Sequence, residues 1–174
     1  QVLLVRIVSG LGTVAIAANS LGVSAEGLCY MAGYGIQDAS IALIGQAVGA
    51  HRRDMAKRFA WLCTMMGIGI MALSGVGLWL FAPQVLRIEA FAEPMFGASI
   101  VASGAMQGAG DSTGCFLLNL FSMWGVRLTL AFLLAPRLGL VGVWAAMCIE
   151  LCIRGALFLI RLARGKWLDK GALQ

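Results

Sequence analysis

The chain has 174 residues, of which 60% are hydrophobic and 12% are charged, and its mean hydropathy is +0.89. This polar fraction is too small to cover a soluble globule of that length, which excludes a soluble globular domain and indicates a membrane protein. The formal net charge is +5, but the basic residues lie in short connections between apolar runs. They form no basic stripe, which excludes a nucleic-acid-binding surface.

The apolar runs predict an all-α integral membrane protein, a six-helix transmembrane bundle with short connections. The approximate bounds of the helices are 2–18, 22–49, 55–82, 85–109, 112–136 and 139–163. The predicted breaks are Asn19 to Gly22, the charged turn after Gly49, Pro83, Gly110-Asp111 and Pro136-Arg137. No connection is long enough for a soluble domain, so residues 1–174 are predicted to form a single transmembrane lobe.

The third predicted helix contains the clearest membrane span. Residues 59–83 form a run of 25 without a charge, with Trp61 and Trp79 near its two ends. A run of this length crosses about 30 Å of hydrocarbon, and Trp side chains are enriched at the membrane–water interfaces.

Lys and Arg are distributed unequally between the two sides that this order of helices creates. One side holds Arg52, Arg53, Lys57, Arg58, Arg161, Arg164, Lys166 and Lys170, whereas the other has only Arg87 and Arg137. Because cytoplasmic connections retain positive charge, the first side is predicted to be cytoplasmic. Both ends of the chain are then predicted to lie in the cytoplasm.

The second and fourth predicted helices carry the same pattern of small residues. Ser40-Ile41 precedes Gly45, Gly49 and Ala50, and Ser99-Ile100 precedes Gly104, Gly108 and Ala109. Such GxxxG faces let membrane helices approach backbone to backbone. Both helices run from outside to inside in the predicted topology, which is the arrangement of a parallel repeat in transporters. The alternative is chance recurrence in glycine-rich helices.

Five ionisable side chains are predicted to lie within the hydrocarbon region: Asp38, Glu93, Arg127, Glu150 and Arg154. Each costs at least about 2.5 kcal/mol at the centre of a helix, so each needs a partner or a water-filled cavity. Asp38 lies about 21 Å from Arg52 along the helix axis, near the membrane midplane, beside Gln37 and one turn from Tyr34. It is predicted either to bind a proton, cation or cationic substrate, or to be a structural partner of Arg127.

Glu93 precedes Pro94, whose ring removes the backbone hydrogen bond to Ala90 and is predicted to bend the fourth helix. Broken helices often line transport cavities. The alternative is that Glu93 is an outer-leaflet residue that reaches water.

Glu150 and Arg154 are spaced for a local structural ion pair. Asp111-Ser112 is predicted to cap the fifth helix, with an ion gate at the cytoplasmic mouth as the alternative. The sequence contains no nucleophile with an adjacent base, and its single histidine and five cysteines lack metal-site spacing. We therefore expect no enzyme activity, no catalytic residues and no metal ligands.

Four sequence blocks occur in an informative order: LGTVAIAAN at residues 11–19, ALIGQAVGA at 42–50, GAMQGAGD at 104–111 and GLVGVW at 139–144. In this order they resemble the C-terminal half, helices seven to twelve, of the multidrug and toxic compound extrusion (MATE) family of transporters. Trp124, Arg127 and residues 164–167 are also similar to the family pattern. The structural motif residues in this resemblance are Gly45, Gln46, Gly49, Gly104, Gly108, Gly110, Asp111, Arg127, Gly142 and Trp144.

The resemblance implies a secondary antiporter of two six-helix lobes that exports amphipathic or cationic small molecules against an inward flow of Na⁺ or H⁺. It implies no cofactor besides that coupling ion, and a bacterial cytoplasmic membrane. The implied partners are membrane lipid and a missing N-terminal lobe or a second copy. The candidates for ion coupling or substrate binding are Asp38, Glu93, Gln37 and Tyr34.

The sequence departs from the family at the cation site of this half. The resemblance implies a glutamate at a position upstream of Gln1 and an aspartate near Phe96, which cannot coordinate an ion. Glu93, one turn away, or Asp38 would have to substitute. The connection at Pro83-Gln84 is also shorter than in the family.

Two alternatives remain open at this point. One is a lipid-linked saccharide flippase of the same superfamily, which should line its cavity with more cationic groups than the two deep ones here, Arg127 and Arg154. The other is a non-transporting, degenerate membrane fragment.

Overall fold

The computed structural model describes residues 13–81, 87, 89–165 and 167–170. The helices are α1 (Thr13–Gly49), α2 (Arg53–Phe81), α3 (Glu93–Gly108), α4 (Ser112–Leu120), a π-helical segment (Phe121–Arg127), α5 (Leu128–Arg164) and α6 (Trp167–Lys170). Among these described residues, three stretches are long and apolar enough to cross a membrane, judged by length and composition: Arg53–Leu80, Ser112–Gly139 and Val141–Arg164. The prediction of an all-α membrane bundle is confirmed, including the charge-free span in α2.

The first helix differs from the prediction. The sequence predicts a helix over residues 2–18 and a break from Asn19 to Gly22, but α1 runs through these positions without interruption. The predicted break is wrong, because an isolated Asn or Gly costs a helix only about 1 kcal/mol and does not force it to end. The predicted reversal of chain direction is absent as well. Residues 1–12 lie outside the described residues.

The fourth predicted helix, over residues 85–109, is interrupted near its beginning. Residues 87, 89 and 90 are helical, and a turn at residues 91–92 separates them from α3, which begins at Glu93 and has its proline in the first turn. Proline is favoured there because the first N–H groups of a helix have no intrahelical partner. Pro94 therefore lies in the first turn of α3, and the bend predicted at this position is a full interruption of the helix at residues 91–92. The short connection at Pro83-Gln84 lies outside the described residues.

The last two predicted helices form a hairpin that reverses at Gly139, where φ is 58° and ψ is −137°. A Cβ added to Gly142 would lie 2.5 Å from the carbonyl oxygen of Leu134, although residues eight apart in a straight helix are about 12 Å apart along its axis. The break is thus two or three residues beyond the predicted one at Pro136-Arg137. The predicted regular helix also contains the π-helical segment, which the sequence does not indicate.

The GxxxG face of α3 packs against α1, mainly at residues that precede the GxxxG motif of α1. A Cβ on Gly104 would lie 2.6 Å from Gln37 Cγ, and one on Gly108 would lie 2.6 Å from the carbonyl oxygen of Ile41. These contacts advance in the same direction along both helices, so α1 and α3 are parallel. Gly45 borders this contact, with Gly108 O 3.5 Å from its added Cβ, whereas Gly49 has nothing within 4 Å. We call this contact the glycine seam.

The basic segments that the charge distribution assigns to one side do lie at one end of the bundle. A Cβ on Gly165 would be 3.9 Å from Lys57 Nζ, and Arg161 forms an ion pair with Asp111. A buried cluster below them includes Ala56, Ala109 and residues of α5 and α6. That this end is cytoplasmic stays a prediction.

Gly139→Ala is expected to lower the free energy of unfolding by about 2 kcal/mol, because an L-residue at φ 58° and ψ −137° is strained. Chemical unfolding of the purified protein in mixed micelles measures the change. Gly69→Ala is the control, since Gly69 lies inside α2 with nothing within 4 Å of its added Cβ. Equal stabilities of the two variants would contradict the strained reversal.

Candidate functional site

A cavity of about 800 Å³ lies between α1, α3, α4 with the π-helical segment, and α5. Cavities of this size accept drug-sized organic molecules. Its lining residues are Ser20, Val23, Ser24, Glu26, Gly27, Tyr30, Tyr34, Gln37, Phe96, Ser99, Ile100, Ser103, Gln107, Asn119, Arg127, Val143, Met147, Leu151 and Arg154. The lining thus combines hydroxyl, amide, aromatic and aliphatic side chains with three charged residues, Glu26, Arg127 and Arg154.

The aromatic part of the cavity is formed where α1 meets α3. The ring centroids of Tyr30 and Phe96 are 4.2 Å apart, and the planes are tilted by 52°. Leu151 and Ile100 extend this surface with aliphatic side chains, and both are buried. An apolar ligand body can pack on this surface without leaving a polar group unsatisfied.

A group of buried carboxyls borders the cavity, which we call the carboxylate cluster: Glu26, Glu89 and Glu93. Glu26 is 5% exposed and the other two are fully buried. The Tyr30 hydroxyl contacts Glu26 Oε1 closely and lies 3.3 Å from Glu89 Oε1. One hydroxyl group therefore lies between the carboxyls of Glu26 and Glu89.

Glu93 lies behind the cavity wall and is not part of its lining. Its Cβ packs against α2, where a Cβ added to Gly75 would be 3.2 Å away. Neither carboxyl oxygen of Glu93 has a hydrogen-bond partner, and Oε2 of Glu89 has none either, among the residues that the structure describes. These oxygens can therefore accept or hold a proton without breaking an existing hydrogen bond.

Two arginines approach the cavity from the opposite wall. Arg154 Nε lies 3.3 Å from Glu150 Oε1, which also accepts a 2.5 Å hydrogen bond from Ser122 Oγ. The predicted local ion pair is therefore present. Arg127, the last residue of the π-helical segment, attracts Glu26 electrostatically. π-Helical turns occur often at functional sites.

Three of the four candidates from the sequence lie at or beside the cavity, and one lies away from it. Gln37 and Tyr34 line the cavity, and Glu93 belongs to the carboxylate cluster beside it. Asp38 is exposed and outside the lining, because neighbouring residues on a helix point in different directions. The structure shows no ion pair between Asp38 and Arg127 in the described part of the chain. A coupling role for Asp38 stays a prediction.

Sequence reasoning did not select Glu26 or Glu89. The signal that could have found Glu26 is its spacing of four residues from Tyr30, because residues four apart share one helix face. The break predicted from Asn19 to Gly22 is absent, so Glu26 lies in the interior of the continuous helix α1.

The remaining motif residues lie outside the cavity lining. Asp111 is buried and caps α4, accepting a hydrogen bond from the Gly114 N–H at 3.3 Å. Gly110 has φ of 89°, a conformation that glycine adopts without strain. Trp144 is buried near the hairpin, whereas Gln46 is exposed on α1.

Comparisons with known proteins give a consistent result. The MatE family model matches residues 1–89, just over half of the chain. The probable multidrug resistance protein NorM of Thermotoga maritima is 24% identical over 93% of this chain and 39% of its own length. The protein of the same name from Brucella suis is 27% identical over 88% and 38%, and the uncharacterized transporter YisQ of Bacillus subtilis is 25% identical over 80% and 35%. The chain spans about two fifths of the length of these curated relatives.

Proposed function

This chain belongs to the MatE family, and we propose that it forms the C-terminal lobe of a multidrug efflux antiporter driven by a cation gradient. The observation that carries the proposal is the 800 Å³ amphipathic cavity bordered by the carboxylate cluster. The transported molecules are amphipathic or cationic drugs. The partners are lipid and a second lobe that completes the cavity, in the cytoplasmic membrane of a bacterium. In this proposal the chain takes part in transport and has no enzyme activity.

We assign cation coupling in this lobe to the carboxylate cluster. Antiport requires that the cation and the substrate oppose each other's binding, which a titratable group at the substrate cavity achieves. Glu26 is such a group, since it lines the cavity and its carboxyl meets that of Glu89 at the Tyr30 hydroxyl. Glu93 adds a buried carboxyl whose oxygens have no hydrogen-bond partner among the described residues.

We propose H⁺ as the coupling ion in preference to Na⁺. Na⁺ needs several oxygen ligands around one point, whereas a proton needs one carboxyl. No group of three or more His, Cys, Asp or Glu side chains is placed to hold a metal ion within the described residues. The carboxyls of Glu26 and Glu89 meet at the Tyr30 hydroxyl, and repulsion between two buried negative charges there favours a bound proton.

Glu26→Gln is expected to reduce proton-driven dye export at least about tenfold, because the amide cannot exchange a proton during the transport cycle. Cells that express the complete reading frame are loaded with ethidium or rhodamine B, and export is recorded under imposed pH and Na⁺ gradients. We expect the pH gradient to drive export and the Na⁺ gradient to have no effect.

Two further variants decide the assignment. Asp54→Asn is the matched control, because Asp54 is an exposed carboxylate in the first turn of α2, and we expect it to export as the parent protein does. Asp38→Asn tests the sequence-based alternative. Loss of proton coupling in Asp38→Asn, with coupling retained in Glu26→Gln, would overturn the assignment to the cluster. If the parent protein exports neither dye, the efflux proposal itself is overturned.

A further inference from the structure

Arg127 has no role in the proposed proton coupling, yet its side chain lines the cavity. Its Nε is buried without a hydrogen-bond partner, and the structure shows no ion pair for it within the described ranges. A charged side chain inside a membrane-spanning bundle is costly unless a partner or water compensates its charge, and such residues mark substrate or ion pathways. The uncompensated charge of Arg127 therefore indicates which chemical group the ligand carries.

The second cavity arginine differs from Arg127. Arg154 lies 3.3 Å from Glu150 Oε1, and its guanidinium carbon is 5.2 Å from the centroid of the Phe96 ring. Its charge is thus already compensated by a carboxylate and by an aromatic face. The cavity therefore presents one arginine that is free to bind an acidic group, which suits a single carboxylate better than a diphosphate.

A negative charge is also present at the cavity. Glu26 lines it from α1 and attracts Arg127 electrostatically, but the two side chains form no ion pair. Between these charges lies the aromatic surface of Tyr30 and Phe96. A molecule with a flat apolar body, one acidic group and one basic group would match all three features at once.

We propose that Arg127 binds the acidic group of the transported molecule and so selects zwitterionic amphipathic substrates over purely cationic ones. This inference rests on the proposed efflux function. A zwitterionic substrate is compatible with proton antiport. Protonation of Glu26 removes the negative charge that binds the substrate's basic group, so proton binding weakens substrate binding. A purely anionic substrate would instead bind better when Glu26 is neutral, which opposes antiport.

The test compares two probes that differ only in the acidic group: rhodamine B, a zwitterion with a free benzoate, and its ethyl ester, a cation. Export of each probe is measured in cells that express the complete reading frame of the parent protein, Arg127→Gln or Arg127→Lys. Binding of each probe to the purified proteins is measured by fluorescence polarisation. Arg58→Gln, which removes an exposed arginine of α2, is the charge-matched control.

We expect the parent protein to prefer the acid to the ester, and Arg127→Gln to weaken binding and export of the acid about tenfold, the loss of one charge-assisted hydrogen bond. The ester should change less than twofold. Arg127→Lys should recover part of the preference, and Arg58→Gln should keep all of it. The ratio of acid to ester is the informative readout, because misfolding lowers both probes together.

Equal losses of acid and ester in Arg127→Gln would overturn the proposal and make Arg127 a structural partner of the second lobe. Equal export of both probes by the parent protein would also overturn it, while the efflux function would stand. If the parent protein exports neither probe nor ethidium, the efflux proposal fails and this inference fails with it.

Discussion

Gly108→Leu is expected to destroy the folded bundle, whereas Gly49→Leu is expected to leave it intact. A Cβ on Gly108 would lie 2.6 Å from the carbonyl oxygen of Ile41 and 3.1 Å from its Cα, so the obstacle is backbone and cannot rotate away. Overpacking of this kind costs about 3 kcal/mol or more. Gly49 belongs to the matching motif on α1 but has nothing within 4 Å.

The yield of monodisperse protein in detergent and its melting temperature measure the difference between these two variants. Gly45→Ala is an intermediate case, because its added Cβ would make an ordinary contact with Gly108 O at 3.5 Å, and we expect little change. Equal melting temperatures for the leucine variants of Gly108 and Gly49 would show that α1 and α3 do not meet at the glycine seam.

Asp111→Ala is expected to lower the free energy of unfolding by about 3 kcal/mol, because it removes the carboxylate from a partly buried ion pair. Asp111 is 1% exposed, and its Oδ2 accepts a hydrogen bond from Arg161 Nε at 3.2 Å. The same substitution removes the cap of α4 at the Gly114 N–H, which contributes about 1 kcal/mol.

Asp54→Ala provides a matched control for Asp111→Ala. Asp54 also occupies the start of a helix, in the first turn of α2, but it is exposed. We expect Asp54→Ala to change the unfolding free energy by less than about 0.5 kcal/mol in mixed micelles. A similarly small change for Asp111→Ala would mean that the ion pair contributes no net stability.

The sequence predicts those parts of the fold that depend on local composition. The span in α2 follows from a long charge-free run, and the start of α4 follows from Asp111 as a cap. The glycine seam follows from small residues at helical spacing, because lipid-embedded helices associate by close packing. Each of these signals is contained within a few turns of one helix.

The parts that could not be predicted depend on contacts between distant segments. Glu26 and Glu89 are 63 positions apart in the chain, and only the packing of α1 beside the segment that precedes α3 brings both to Tyr30. The unbroken course of α1 could not be predicted either, because Asn and Gly occur both in turns and inside helices. The π-helical segment that ends at Arg127 has no composition signal of its own.

The glycine seam has a mechanical consequence for any change in the shape of the cavity. Where backbone atoms touch, no side chain lies between the helices that could change rotamer and let them slide. We therefore expect α1 and α3 to move as one rigid body, with Tyr30, Gln37, Phe96 and Ser103 at fixed mutual distances. Any relative motion at the cavity is then expected in the opposite wall, which contains the π-helical segment and the reversal at Gly139.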